Sequence, residues 1–314
     1  MSTINKHGSR ARELRDEVFE FLSKKKVLAA LTILPPMLLF PFVNLVPIVG
    51  VIGASFFSIN AFSNEWQWIG VANFETLLSS NSFYDALSRS VVYAGGSVVI
   101  QVVFGTTLAL LLNRSFKFVN IARTFAILPY LIPNAVIGFM ALWMLNSQWG
   151  IVNQLAVQIG LTEGYVSFFG NQASAMLAAI LTSSWKDSIF VTVMVLARLQ
   201  AIPESFYEAA KMSGATAYQR FRDITLPNLK GVFFIVLLLR AVWMFNTFDY
   251  IWVLTQGGPR GATTTAPIYA YNVAFGTSRL GIAAAVSTVL FLVLLVAAVL
   301  YFRIFEPSAE VRAE

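Results

Sequence analysis

Three charged residues fall inside long apolar stretches of this 314-residue chain: Lys186 and Asp187 in one, and Arg240 in another. An ionised side chain in the hydrocarbon core of a bilayer is costly. It persists where it is paired or where it lines a polar path. Helical spacing gathers further residues around each charge. Ser183, Lys186, Asp187 and Phe190 follow i, i+3, i+4, i+7, and Arg240, Trp243, Met244 and Thr247 follow i, i+3, i+4, i+7 on the next stretch. The chemistry open to two such faces is recognition of a polar solute, with Phe190 and Trp243 as flat apolar platforms and the polar groups as hydrogen-bonding partners. Successive residues on a helix point about 100° apart, so Asp187 is a better partner for Arg240 than for Lys186. That pairing leaves one cation over. Two readings stand at this point: charge neutralisation alone, or a net positive cavity suited to an anionic solute.

Other chemistry is largely excluded. The chain has no Cys and one His, His7 in the polar N-terminal arm, so the apolar body can form no thiolate zinc site, redox pair, Cys nucleophile or Ser/His triad. No Gly-x-x-x-x-Gly-Lys-[Ser/Thr] phosphate loop occurs. Energy for any work must come from an ion gradient or from a partner.

The elements that hold these residues are membrane helices. Of the residues, 57% are hydrophobic and 12% charged, with a mean hydropathy of +0.69, which no ordinary soluble domain shows. Residues 27–64, 90–113, 124–162 and 280–302 contain no Lys, Arg, Asp or Glu. Apolar windows predict six transmembrane helices, at 28–52, 90–112, 124–145, 175–197, 232–254 and 281–303. Pro35, Pro36, Pro41 and Pro47 predict a kinked or tilted first span. With both termini cytoplasmic, 17 of the 22 basic residues lie inside, only Arg89, Arg260 and Arg279 lie outside, and Lys186 and Arg240 fall within spans. The net charge of +6 thus reflects topology and gives no reason to expect nucleic acid as a partner.

The organisation expected is a cytoplasmic N-terminal arm at 1–27, a first span and outer segment at 28–87, a transmembrane domain at 88–305 and a cytoplasmic tail at 306–314. Leu14, Val18, Phe21 and Leu22 share one face of a helix suited to the inner membrane surface, the other reading being a solvated basic arm. The first apolar stretch is too long for a signal-peptide core and reads as uncleaved. The outer segments 59–89, 146–174 and 255–280 carry Trp66, Trp68, Trp149 and Tyr165, expected as interfacial anchors. None is long enough for an independent catalytic domain.

The cytoplasmic segment 201–231, AIPESFYEAAKMSGATAYQRFRDITLPNLKG, predicts two short helices joined at a glycine. Pro203 and Glu204 suit a first helical turn and Gly214 a left-handed C-terminal cap. Thr216 and Gln219 have capping-box spacing, and Pro227 is expected to end the second helix. Phe206, Ala209, Ala210 and Ser213 share a face that could lie in a groove of another protein. Glu208, Ala209, Ala210, Gly214, Ala215, Phe221, Ile224, Leu226 and Pro227 resemble the EAA loop of the permease subunits of binding-protein-dependent ABC importers. Ser213 departs from the Asp usual there. Asn113-Arg114, Leu128-Pro129-Tyr130, Ile132-Pro133, Trp185, Phe248-Asp249, Leu254 to Pro259 and Gly281 to Ser287 resemble the maltose-type carbohydrate branch, the likeness covering roughly 88–305.

The resemblance implies a type I ABC importer permease fold, all-α, in a prokaryotic inner membrane. It implies a second homologous permease subunit, an ABC ATPase dimer that binds ATP and Mg, an extracytoplasmic solute-binding protein and a carbohydrate substrate, with lipid around the chain. This chain would then hold no cofactor, metal or catalytic residue. Its coupling element would be the loop carrying Glu208, and its solute cavity would be lined by Ser183, Lys186, Asp187, Phe190, Arg240, Trp243, Met244 and Thr247. The solute would be a sugar, oligosaccharide, polyol or an anionic derivative such as a phosphate, sulfonate or uronate. Asn246 and Asp249 either cap the cavity mouth or serve packing, and Gly257-Gly258-Pro259 marks an outward-facing turn. The rival reading is a gradient-driven secondary transporter, but Asp187 is the only acid deep in a span and no inverted halves correspond. A channel would need a filter-like polar repeat, and none is present.

Overall fold

The computed structural model describes residues 25–60 and 66–305. The amphipathic helix expected in the arm and the expected tail lie outside the described residues. Among the described residues five helices are long and apolar enough to cross a membrane, and a bent pair, taken as one span, brings the number to six. The chain divides into two compact units, 1–54 and 55–314. The first holds α1, Lys25–Ala54, which runs as one helix through Pro35, Pro36, Pro41 and Pro47.

The second unit begins with a hairpin of β1, Phe57–Ile59, and β2, Trp66–Trp68, paired antiparallel with Phe57 opposite Trp68 and Ile59 opposite Trp66. Then come α2, Ala72–Leu78, and α3, Asn81–Leu112. The buried Asn73 amide donates to the carbonyls of Ser55 and Phe57, both at 2.9 Å. Gly281 approaches Phe57 so closely that a Cβ there would lie 2.1 Å from its carbonyl oxygen. These contacts tie residues 55–80 to the start of the last span. Residues 55–80 therefore belong to the unit that begins at Ser55.

The third span corrects the simple reading most. It consists of α4, Val119–Ile127, a 3₁₀ turn at Leu128–Leu131, and α5, Asn134–Met144, with a 96° bend between its halves. Pro133 withholds a backbone donor and Ile132 is extended, with ψ 132°, the conformation a following proline favours. A short α6, Ile151–Gln158, leads to α7, Gln172–Ala201, started by the Asn171 side chain accepting from the Ala173 amide at 2.9 Å.

The cytoplasmic loop forms α8, Glu204–Met212, and α9, Ala217–Arg220. Pro227 does not end the second helix. A π-turn at Phe221–Thr225 carries α9 into α10, Leu226–Phe245. The wider turn changes the hydrogen-bond register just before the proline, and the Asn228 side chain bonds the Ile224 carbonyl at 2.7 Å. The fifth span stops at Phe245 rather than 254, and α11, Asp249–Thr255, follows as a separate helix. After it come α12, Ala266–Tyr271, a π-turn at Asn272–Gly276, and the last span α13, Leu280–Ile304.

Packing centres on α3 against α7, with α10 across both. Small and polar residues of α3, namely Ser90, Ser97, Gln101, Gly105 and Ala109, are buried. A Cβ on Gly105 would meet the Ser188 carbonyl at 2.6 Å and Val191 at 2.7 Å. Close backbone approach across small residues is how helices associate where lipid provides no hydrophobic drive. A second cluster, Ala109, Val191, Val195, Leu199, Ile202, Leu229 and Val236, takes Tyr207 and Ile224 of the loop against it.

Candidate functional site

Arg240 and Asp187 meet as expected. The guanidinium donates to Asp187 Oδ2 at 2.9 Å and its Nε to Gln101 Oε1 at 2.7 Å. Gln101 in turn donates to Met244 Sδ at 3.2 Å, and Arg240 reaches the same sulfur at 3.6 Å. Arg240 is 3% exposed and Gln101 wholly buried. The pair is therefore enclosed by α3, α7 and α10 of this one chain. Each charge is desolvated, and the geometry offsets that cost by satisfying the donors that face inward. Arg240 also lies 5.9 Å from the Phe190 ring centroid and 5.5 Å from that of Trp243, and these two rings meet edge to face at 5.1 Å.

Lys186 is the cation left over. Its Nζ donates to Asn134 Oδ1 and stands 5.9 Å from the Tyr130 ring centroid. The same Asn134 oxygen accepts from the Tyr250 hydroxyl at 3.0 Å, and its amide nitrogen donates to Asp249 Oδ2 at 3.4 Å. Among the described residues no carboxylate lies within 4.0 Å of the ammonium. Asn134 is the first residue of α5, so the break in the third span positions the group that touches Lys186.

Of the eight residues expected to line a cavity, Asp187, Phe190, Arg240, Trp243 and Met244 meet one another, Lys186 turns to Asn134, and the exposures differ. Ser183, Lys186, Asp187, Arg240 and Met244 are buried, Phe190 and Thr247 are half-buried, and Trp243 is 43% exposed. Beside Trp243 and Thr247 the surface continues through the exposed Asn246, Asp249 and Tyr130. Counted along the helices, Lys186 sits roughly 20 Å from either end of α7, and Arg240 roughly 20 Å from the start of α10 and about 8 Å from its end. Lipid cannot satisfy such polar groups, so this face belongs to a wet cavity or a partner. A groove of ≈ 400 Å³ beside it, lined by Ile137, Met144, Leu177, Leu181 and Trp185 among others, is nearly all apolar.

Gln101, Asn134 and Tyr250 were not singled out, because a search for charges passes over uncharged polar residues. A signal was present for one of them: Ser90, Tyr93, Ser97 and Gln101 recur at helical spacing within a charge-free stretch.

On the basic side, Gly214 adopts φ +78° and closes α8, with the Ala215 amide bonding the Ala210 carbonyl at 2.9 Å. The capping box is complete: the Thr216 amide donates to Gln219 Oε1 at 2.7 Å and the Gln219 amide to Thr216 Oγ1 at 3.3 Å. Tyr207 turns inward, its hydroxyl 3.0 Å from Thr225 Oγ1. Phe206, Glu208, Ala209 and Ser213 face out with Met212, which is 90% exposed. Ala210 and Ala215 are half-buried, Phe221 is half-buried in the π-turn, and Leu226 and Pro227 are exposed.

The Gly257–Thr265 turn is internally bonded. Thr263 Oγ1 donates to the Gly258 carbonyl at 2.8 Å, Thr264 Oγ1 to that of Gly257 at 3.0 Å, and the Ala266 amide to Ser90 Oγ at 2.8 Å.

Residues 101–311 match the family described as binding-protein-dependent transport system inner membrane component. Among similar proteins, the trehalose/maltose transport system permease protein MalF of Thermococcus litoralis is 32% identical over 277 residues, covering 88% of this chain and 93% of that one. The inner membrane ABC transporter permease protein YcjO of Escherichia coli is 35% identical, covering 85% and 90%. The sulfoquinovosyl glycerol transport system permease protein SmoG of Agrobacterium fabrum is 31% identical, covering 89% and 90%. A bacterial ABC transporter involved in import of the acidic polysaccharide alginate superposes with a TM-score of 0.77 at 24% identity, over 92% of this chain and 98% of that one, a likeness of fold.

Proposed function

This chain belongs to the family of binding-protein-dependent transport system inner membrane components, a multi-pass inner-membrane permease subunit of an ABC importer, and from that premise we propose that its solute is a carbohydrate and that it works without catalytic residues of its own. The permease relatives named for trehalose/maltose and for sulfoquinovosyl glycerol support the solute class. A second permease subunit would complete the cavity, an external binding protein would deliver the solute, and separate ATPase subunits would bind ATP and Mg.

The observation that carries the reading is a physical connection. The exposed face of α8 is held on the same buried cluster, through Ile202, Tyr207 and Leu229, that anchors α7 and α10. Those two helices bear Lys186, Asp187, Phe190, Arg240, Trp243 and Thr247. A displacement of α8 by an ATPase is therefore passed to the walls of the solute path as a rigid-body shift between two packed states. In this scheme the Asp187–Arg240 pair braces the moving helices, and the rim formed by the exposed Trp243 and Asn246 and the half-buried Thr247 meets the solute. The test is purification with tagged chain. An ATPase should co-purify, be lost with Glu208→Ala or Gly214→Val, and drive uptake in vesicles; uptake independent of ATP would overturn the scheme.

A further inference from the structure

We infer that the break in the third span is an anion subsite, where Lys186 and the opening amides of α5 take the acidic group of a negatively charged carbohydrate. This rests on the reading of that surface as the solute path.

An ammonium has three donors. Among the described residues, one reaches Asn134 Oδ1, the Tyr130 ring covers another flank, and no carboxylate is in ion-pair range. Lys186 is nonetheless 6% exposed, and a buried charge with unfilled donors is retained where a ligand or water fills them. Asn134 Oδ1 can accept no more, since it already accepts twice, and its amide nitrogen gives one of its two hydrogens to Asp249.

The second observation is the helix that Asn134 begins. α5 has eleven residues and no side-chain cap on its N-terminus. Its first backbone bond is from the Ile137 amide to the Pro133 carbonyl at 3.2 Å, and the amides of Asn134, Ala135 and Val136 have no backbone acceptor. Uncapped amides at a helix N-terminus favour an anion through both hydrogen bonding and the helix dipole. Broken spans in transporters present such ends to anionic groups near mid-membrane.

Arg240 contributes little, because Asp187 and Gln101 hold it inside the bundle. Asp249 opposes an anion, standing at the other end of the Asn134 amide. Its removal should therefore strengthen the subsite. An acidic group on a sugar is distinguished from a lipid phosphate by depth, since the subsite lies roughly 20 Å along α7 from either end.

The importer, purified with its partner subunits and without binding protein, is titrated with methyl β-D-glucuronide, methyl β-D-glucoside and sulfate, and the shift in thermal unfolding midpoint is read. The glucuronide should bind about tenfold more tightly than the glucoside, the size of one charge-assisted hydrogen bond. Lys186→Met should erase that preference, Lys186→Arg keep it and Asp249→Asn widen it. Equal titration by the two glycosides, no shift with either, a preference that survives Lys186→Met, or sulfate matching the glucuronide would each overturn the inference. ATP-driven uptake by the same importer, reconstituted in vesicles and supplied with its binding protein, separates the outcomes: its presence leaves the proposed function standing, and its absence removes both.

Discussion

The buried pair provides the strongest quantitative expectation. Asp187→Leu leaves the Arg240 guanidinium, 3% exposed, with only the Gln101 oxygen at 2.7 Å and a thioether. Removing one member of a buried ion pair costs about 3–5 kcal/mol. Arg240→Leu should cost less per charge, because the abandoned carboxylate can take up a proton and become neutral, whereas a guanidinium cannot lose one. In the double variant no charge remains. The residual cost is then the Gln101 oxygen left without a donor, about 1–3 kcal/mol. Thermal unfolding of the purified importer should therefore place both single variants below the double variant, a non-additivity of several kcal/mol. Adding Gln101→Leu should recover most of the remainder. Uptake should persist in the double variant, since the pair braces helices and the solute meets the rim. A double variant that loses as much stability as the two singles summed would show the charges to be uncoupled and refute the reasoning.

Three further outcomes follow from single contacts. Gly105→Ala places a Cβ 2.6 Å from the Ser188 carbonyl, and a backbone atom cannot yield as a side chain can, so the variant should lose about 1–3 kcal/mol of stability and recover poorly from membranes. Gly214→Val meets no atom within 4 Å, yet its φ of +78° is strained for any side chain, so ATP-driven uptake should fall while overall stability drops by only about 1–2 kcal/mol. Thr216→Ala removes one half of the capping box, worth about 1 kcal/mol, and should speed hydrogen exchange at Ala217–Arg220 without changing it in α7.

The spans were legible because charge-free length is a direct readout of what a bilayer requires, and the hairpin was legible because Gly214, Thr216 and Gln219 each specify one local conformation. Where the reading failed, proline was the reason in both directions. Hydropathy counts Ile132 and Pro133 as apolar and cannot register the 96° bend. Pro227, expected to end a helix, is absorbed by a π-turn. Whether a proline breaks a helix depends on what can take over the freed carbonyl, and that is a tertiary property. The candidate site divided similarly. The Asp187–Arg240 pairing followed from helix angles, but Asn134, which organises Lys186, is visible only after the third span is known to break beside it.

The same division bears on what the three membrane charges mean. Read along the sequence, Lys186, Asp187 and Arg240 all mark the place to look for a solute path. In the folded chain Asp187 and Arg240 complete each other across a helix interface and present little to a cavity. What remains for a solute is Lys186 and a rim of uncharged groups: Tyr130, Trp243, Asn246 and Thr247, with Asp249 beside them. Asn246 donates a side-chain amide hydrogen to the Val242 carbonyl at 3.1 Å and Thr247 its hydroxyl to the Trp243 carbonyl at 3.0 Å, which leaves the Asn246 oxygen and the lone pairs of the Thr247 oxygen as acceptors. A surface of acceptors, flat rings and one cation suits hydroxyl-rich solutes and selects among them by a single charge. Substitutions on the rim should therefore change which solute passes, and substitutions in the pair should change whether the helices hold together.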